Sequence, residues 1–125
     1  MKAQDLMIGD WVIIDHPTIG KQAERVIHVE EDCIMTNETF TTLFEVDPVP
    51  LTAEILEKNF AKRLFFDGEF EGYSYVTDGM QIDQLADSVF VWICPGTING
   101  ILSLRYVHEL QHALRLCGIE KEIQL

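Results

Sequence analysis

A chain of 125 residues, 47% of them hydrophobic, has enough apolar content for one domain, or two very small modules sharing a core, and this excludes a disordered chain. With 21 acidic against 9 basic residues the net charge is -12, which repels phosphate backbones and argues against nucleic-acid binding. The nearest basic cluster, Lys58, Lys62 and Arg63, is too small to reverse that sign.

The acidity suits a surface kept soluble by charge, or mimicry of nucleic acid toward a basic partner, and the first is favoured. Met1 to Asp10 carries a single lysine and no long apolar run, unlike a signal peptide. No segment approaches the roughly 20 apolar residues of a membrane span. Cys33, Cys94 and Cys117 are widely spaced with no C-x-x-C and sit in apolar contexts, which predicts buried free thiols in a reducing cytoplasm.

In chain order, Leu6 to Val12 reads as a turn at Gly9-Asp10 feeding a strand through Ile14, closed by His16-Pro17. Further strands fit Arg25 to Glu30, Cys33 to Thr36 and Thr41 to Val46, and such short, closely spaced strands suggest a small antiparallel barrel or curled sheet. An apolar-Gly-Asp-apolar-Val opening is common in barrels of the Src-homology-3 and KOW type, which often bind peptides or RNA through aromatic grooves. Fold analogy of that kind licenses no function.

Asp47-Pro48-Val49-Pro50 is the one plausible internal boundary, because two prolines stiffen the chain and end a strand. Thr52 then caps a short helix from Ala53 to Lys58, with Glu54 suiting the dipole of its first turn. Beyond it, Asp67-Gly68, Asp78-Gly79, Asp87-Ser88, Pro95-Gly96 and Asn99-Gly100 punctuate a meander over Arg63 to Phe66, Glu69 to Thr77, Met80 to Leu85, Val89 to Cys94 and Ile98 to Leu102. The aromatics Tyr73, Tyr75, Phe90 and Trp92 fall at strand spacing and read as packing rather than a ligand platform. A helix from Leu104 to Gly118 covers the meander, and Glu122 to Leu125 adds an edge strand. The expected class is therefore α+β: a barrel-like module over residues 1–48, then a helix, a meander and a covering helix over residues 49–125, which together can form one continuous domain.

One stretch matches a named chemical motif. His108, Glu109 and His112 spell H-E-x-x-H, which on a helix puts two imidazoles one turn apart to hold zinc, with the glutamate as general base of a hydrolase. At about 100° per residue, Tyr106, Val107, Leu110, Ala113, Leu114 and Cys117 form one apolar stripe, and His108 and His112 fall almost opposite it, on the polar face. Arg105 and Arg115 bracket the pair and disfavour a dication. The extended motif needs glycine where Arg115 stands and histidine where Gly118 stands, so only an upstream ligand such as His16 or His28 would complete the site.

The favoured alternative is an amphipathic helix ended by Gly118 in a left-handed cap, with Ile119 folding back. Asp67, Glu69, Glu71 and Asp78 imitate the spacing of a calcium loop, but strand-like flanks favour a solvated acidic hairpin. No phosphate-binding glycine loop, nucleophile elbow or activated cysteine is present in the sequence.

Three segments carry a resemblance: Leu6 to Val12 (LMIGDWV), Pro50 to Asn59 (PLTAEILEKN) and Tyr106 to Gly118 (YVHELQHALRLCG). Together they resemble a group of small proteins of gut Bacteroides-type bacteria and their phages or prophages. The likeness implies that origin and a cytoplasmic setting, and it carries no activity, cofactor or site residue. With no complete catalytic set, the expected function is a non-enzymatic accessory or protein-interaction protein of phage derivation that binds another protein, with neither nucleic acid nor membrane as partner. The alternative is a minimal zinc hydrolase with His108 and His112 as ligands and Glu109 as base.

Overall fold

The computed structural model describes residues 3–37, 40–42, 46–67, 70–77, 80–86, 89–93 and 101–125. Over these residues it is α+β, with a single 3-10 turn at Ala3–Asp5, two α-helices and two five-stranded antiparallel sheets. Two compact units share the chain: Met1–Pro50 with Tyr106–His112, and Leu51–Arg105 with Ala113–Leu125.

In the first unit the strands are β1 (Trp11–His16), β2 (Gly20–Val29), β3 (Cys33–Thr36), β4 (Phe40–Thr42) and β5 (Val46–Pro48). Their order is β4-β3-β2-β1-β5, an open row that is not closed into a barrel. The expected strand over Thr41 to Val46 is instead two: β4 pairs with β3 at one edge of the sheet, and β5 pairs with β1 at the other. Pro48 lies on that outer edge, where its missing N–H breaks no ladder.

β1 alternates, turning Val12 and Ile14 into a core with Leu6, Val26, Ile34 and Val46. β2 begins earlier than the expected Arg25, because Gly20 opposes His16 across a three-residue hairpin loop. Gly20 has φ 80°, the left-handed conformation such a loop needs. The start of β2 is hidden in the sequence because Glu24 occupies an inward position, buried against His16 and Thr36.

The second unit holds α1 (Ala53–Asn59) and β6 (Ala61–Asp67), β7 (Phe70–Thr77), β8 (Met80–Ala86), β9 (Val89–Ile93) and β10 (Ile101–Leu104). The sheet order β10-β9-β8-β7-β6 is a simple meander. Tyr75, Ile82, Phe90, Trp92 and Leu104 bury one face of it, as the strand spacing of the aromatics predicts, whereas Tyr73 is exposed. β9 is paired on both sides, which suits its run of apolar residues. β7 pairs with β6 over Phe70–Val76 and with β8 over Tyr73–Thr77, so the described part of the stretch that imitates a calcium loop is strand, and its residues 68, 69 and 78 lie outside the described residues. The turn residues at 68–69, 78–79 and 87–88, and the expected turns at 95–96 and 99–100, lie outside the described residues, as does Cys94.

Thr52 caps α1, its Oγ1 accepting from the Ile55 N–H. The expected edge strand at Glu122 to Leu125 is irregular instead: the Asn59 carboxamide donates to Gln124 C=O and accepts from Gln124 N–H, satisfying both backbone groups without a ladder.

α2 spans Val107–Leu116, shorter at its start than the expected Leu104. Leu104 is held in the ladder opposite Phe90, and the Arg105 carbonyl accepts from Leu51 N–H. The C-terminus follows the expected cap. Gly118 has φ 69°, its N–H donates to Arg115 C=O, and Ile119 N–H donates back to Leu114 C=O, the paired bonds of a Schellman motif. Among the described residues no helix is long and apolar enough to cross a membrane.

Candidate functional site

The H-E-x-x-H residues sit on the first half of α2, within the first unit. Tyr106 precedes the helix, and its carbonyl accepts from the Glu109 and Leu110 N–H groups. Of the N–H groups that a helix start leaves without partners, Val107's donates to Val49 C=O. The Glu109 carboxylate accepts from the Tyr106 N–H at 3.0 Å, the reciprocal half of a capping box. Glu109 thus does a structural task that needs an acid or amide three residues into the helix.

His108 overturns the expectation of a solvent-facing pair. Only 7% of it is exposed, with its ring stacked on Tyr106 at 5.8 Å and edge-on to His112 at 5.6 Å. Its Nδ1 is buried and has no hydrogen-bond partner among the described residues. Burial pushes the His108 pKa below its ordinary value, the Asp10 carboxylate opposing and the His112 ring reinforcing that shift.

His112 is partly exposed, and its Nε2 lies 2.6 Å from Oδ2 of the fully buried Asp10. The same carboxylate oxygen accepts from the Met7 N–H at 2.7 Å. Next to this pair, Gln111 acts as a substitute peptide group: Oε1 accepts from the Trp11 N–H and Nε2 donates to the Gly9 carbonyl, each at 2.9 Å. Gly9, at φ 94°, also donates its N–H to Val26 C=O. Gln111 is therefore buried against the Met7 to Trp11 turn because each of its polar groups finds a backbone partner there. Periodicity assigns such residues to solvent, and this pairing is what overrides it.

The structure does bring an upstream acid to one of the candidate ligands, Asp10 to His112, whereas His16 is engaged by Glu24 and His28 by Glu30. Among the described residues no group of three His, Cys, Asp or Glu side chains is placed to hold a metal ion. Asp10 and Gln111 are the residues that sequence reasoning missed. The one signal for Gln111 was its place on the helical wheel, at the margin of the apolar stripe.

The outer side of the first sheet has a different character. Trp11 lies under the Arg25 guanidinium at 4.7 Å, and a shallow pocket of about 180 Å³ beside them, which also takes in the inward Glu24, is lined by Trp11, Gln22, Ala23, Glu24, Arg25 and Asn37. On the neighbouring strands Ile27 and Met35 are 44% and 38% exposed. The thiols are less buried than expected: Cys33 and Cys117 are both partly exposed. Cys33 donates to Glu30, and desolvation together with that carboxylate raises its pKa, which keeps it a thiol rather than a nucleophile.

Comparisons of the chain with protein-family models, with curated proteins and with solved structures find no match.

Proposed function

We propose that the protein is a non-enzymatic interaction protein, an accessory of phage or prophage derivation, which binds another protein through the outer side of its first sheet. The observation that supports this reading is the exposure of Ile27 and Met35 on neighbouring strands, large apolar side chains whose burial by a partner is favourable. The alternative chemistry has less to stand on, since Glu109 is engaged as a cap and His112 is bonded to Asp10.

A test is capture from a lysate of the source cells by the wild-type chain beside Ile27→Asp/Met35→Asp, with bound proteins quantified by mass spectrometry. A partner enriched by the wild type and lost in the variant is the expected result. No specific partner, or one retained equally by the variant, refutes the reading.

A further inference from the structure

The β2–β3 hairpin departs from regular pairing at one place. Val26 opposes Thr36 and His28 opposes Met35, so Ile27 is an extra residue, a β-bulge. Val26 is buried and Val29 returns toward the core, so the bulge leaves two consecutive side chains, Ile27 and His28, on the exposed side. Met35, opposite His28, shares that side. Bulges re-aim side chains in this way, and here the result is that His28 joins Ile27 and Met35 on the exposed side while Val29 still pairs with Ile34.

The turn that follows is acidic. Glu30, Glu31 and Asp32 are all exposed, and the turn is closed by the Glu30 N–H donating to Cys33 C=O. Glu30 accepts from Cys33 and is bonded to His28 at 3.1 Å, contacts that favour its ionised form. No lysine or arginine among the described residues pairs with any of the three. The only cation described on this side of β2 near the pair, Arg25, lies over the Trp11 ring, two residues before Ile27 and away from the turn.

We propose that this face, Ile27 and Met35 bordered by Glu30, Glu31 and Asp32, docks a basic amphipathic segment of the partner protein. An apolar side chain of that segment covers Ile27 and Met35, and its lysines or arginines face the acidic turn. Charge selects this occupant over the others. A chain of net charge -12 attracts a basic partner at long range and speeds its encounter. A second copy would bring the same acidic turn against its like in a symmetric contact, and a nucleic acid would be repelled.

The inference rests on the interaction reading above, and its test separates the two. The probe is a short fluorescein-labelled peptide of alternating lysine and leucine, followed by anisotropy against purified protein. Its counterparts carry glutamate for each lysine, or serine for each leucine. Glu31→Gln/Asp32→Asn is expected to weaken binding about fivefold, and Ile27→Ser/Met35→Ser about tenfold. Glu54→Gln/Glu120→Gln removes the same charge from exposed positions elsewhere and should change affinity less than about twofold. Circular dichroism checks that each variant is folded, and all six positions are exposed.

Equal weakening by the two charge variants would reduce the effect to net charge and overturn the proposal. So would no loss in the serine variant, or equal binding of the glutamate peptide. A partner captured from lysate that is lost in the Ile27/Met35 variant but retained in full by Glu31→Gln/Asp32→Asn removes the basic segment as occupant and leaves the interaction reading standing. A chain that captures nothing and binds no peptide removes both.

Discussion

Gln111 makes the sharpest prediction, because it is an ordinary residue inside the motif and does more structural work than the residues that name it. Gln111→Ala leaves the Trp11 N–H and the Gly9 carbonyl without the partners they have at 2.9 Å. Each net hydrogen bond is worth about 1 kcal/mol, and stranding a buried group costs about 1–3 kcal/mol. Partial access to water keeps the cost near the lower end. Release of the ordered side chain and the better helix propensity of alanine return about 1–2 kcal/mol. The expected loss is about 2 kcal/mol, which lowers the urea midpoint by roughly 1 M at an ordinary slope.

Gln111→Glu separates pairing from packing. Glutamate still accepts from Trp11 N–H but turns a carboxylate toward the Gly9 carbonyl, close to buried Asp10, and should be at least about 1 kcal/mol worse than alanine. Urea unfolding gives the totals, and hydrogen exchange at the Trp11 amide shows whether the loss is local. Gln111→Ala within about 0.5 kcal/mol of wild type, or Gln111→Glu no worse than Gln111→Ala, would refute the reasoning.

The other predictions bear on the same helix. The pKa of His108 is lowered in the folded state, so the unfolded chain binds the proton more readily. The contribution of neutral His108 is thus fully present above the ordinary value near 6.5 and is lost as pH falls from there toward the folded value. His108→Gln should flatten the dependence of stability on pH between about 7 and 5; an unchanged slope assigns it to other groups. Glu109→Gln should keep the cap, and Glu109→Ala should lose about 0.5–1 kcal/mol in thermal unfolding; equal stability of the two would deny Glu109 its capping role. Elemental analysis of purified wild type is expected to find no stoichiometric zinc, whereas stoichiometric zinc lost in both His108→Ala and His112→Ala would establish the hydrolase alternative. Gly118→Ala meets no neighbour within 4 Å, so its cost is purely conformational, about 1 kcal/mol, and calorimetry showing no loss would count against the left-handed cap.

Local chemistry was legible in the sequence wherever a residue's task is settled by its near neighbours. The Thr52 cap, the Gly118 cap with Ile119 folding back, the meander order and the inward stripe of Val107, Leu110, Ala113 and Leu114 all follow from propensity, turn residues and period. These signals act over a few residues, and tertiary packing had no reason to override them.

The two edges of the first sheet, the early start of β2 and the fate of the polar face of α2 were settled only in three dimensions. Glu24 looks like a solvent residue until His16 and Thr36 are placed beside it. Gln111 and His112 lie about a hundred positions from Trp11 and Asp10, and nothing local announces that they meet. H-E-x-x-H was therefore visible in the sequence as a pattern, and the Glu109 cap is local to it, whereas the burial of the His108 ring and the anchoring of Asp10 by His112 were decided by tertiary structure. A polar side chain leaves solvent only when a distant partner can satisfy it, and that partner is named by the fold alone.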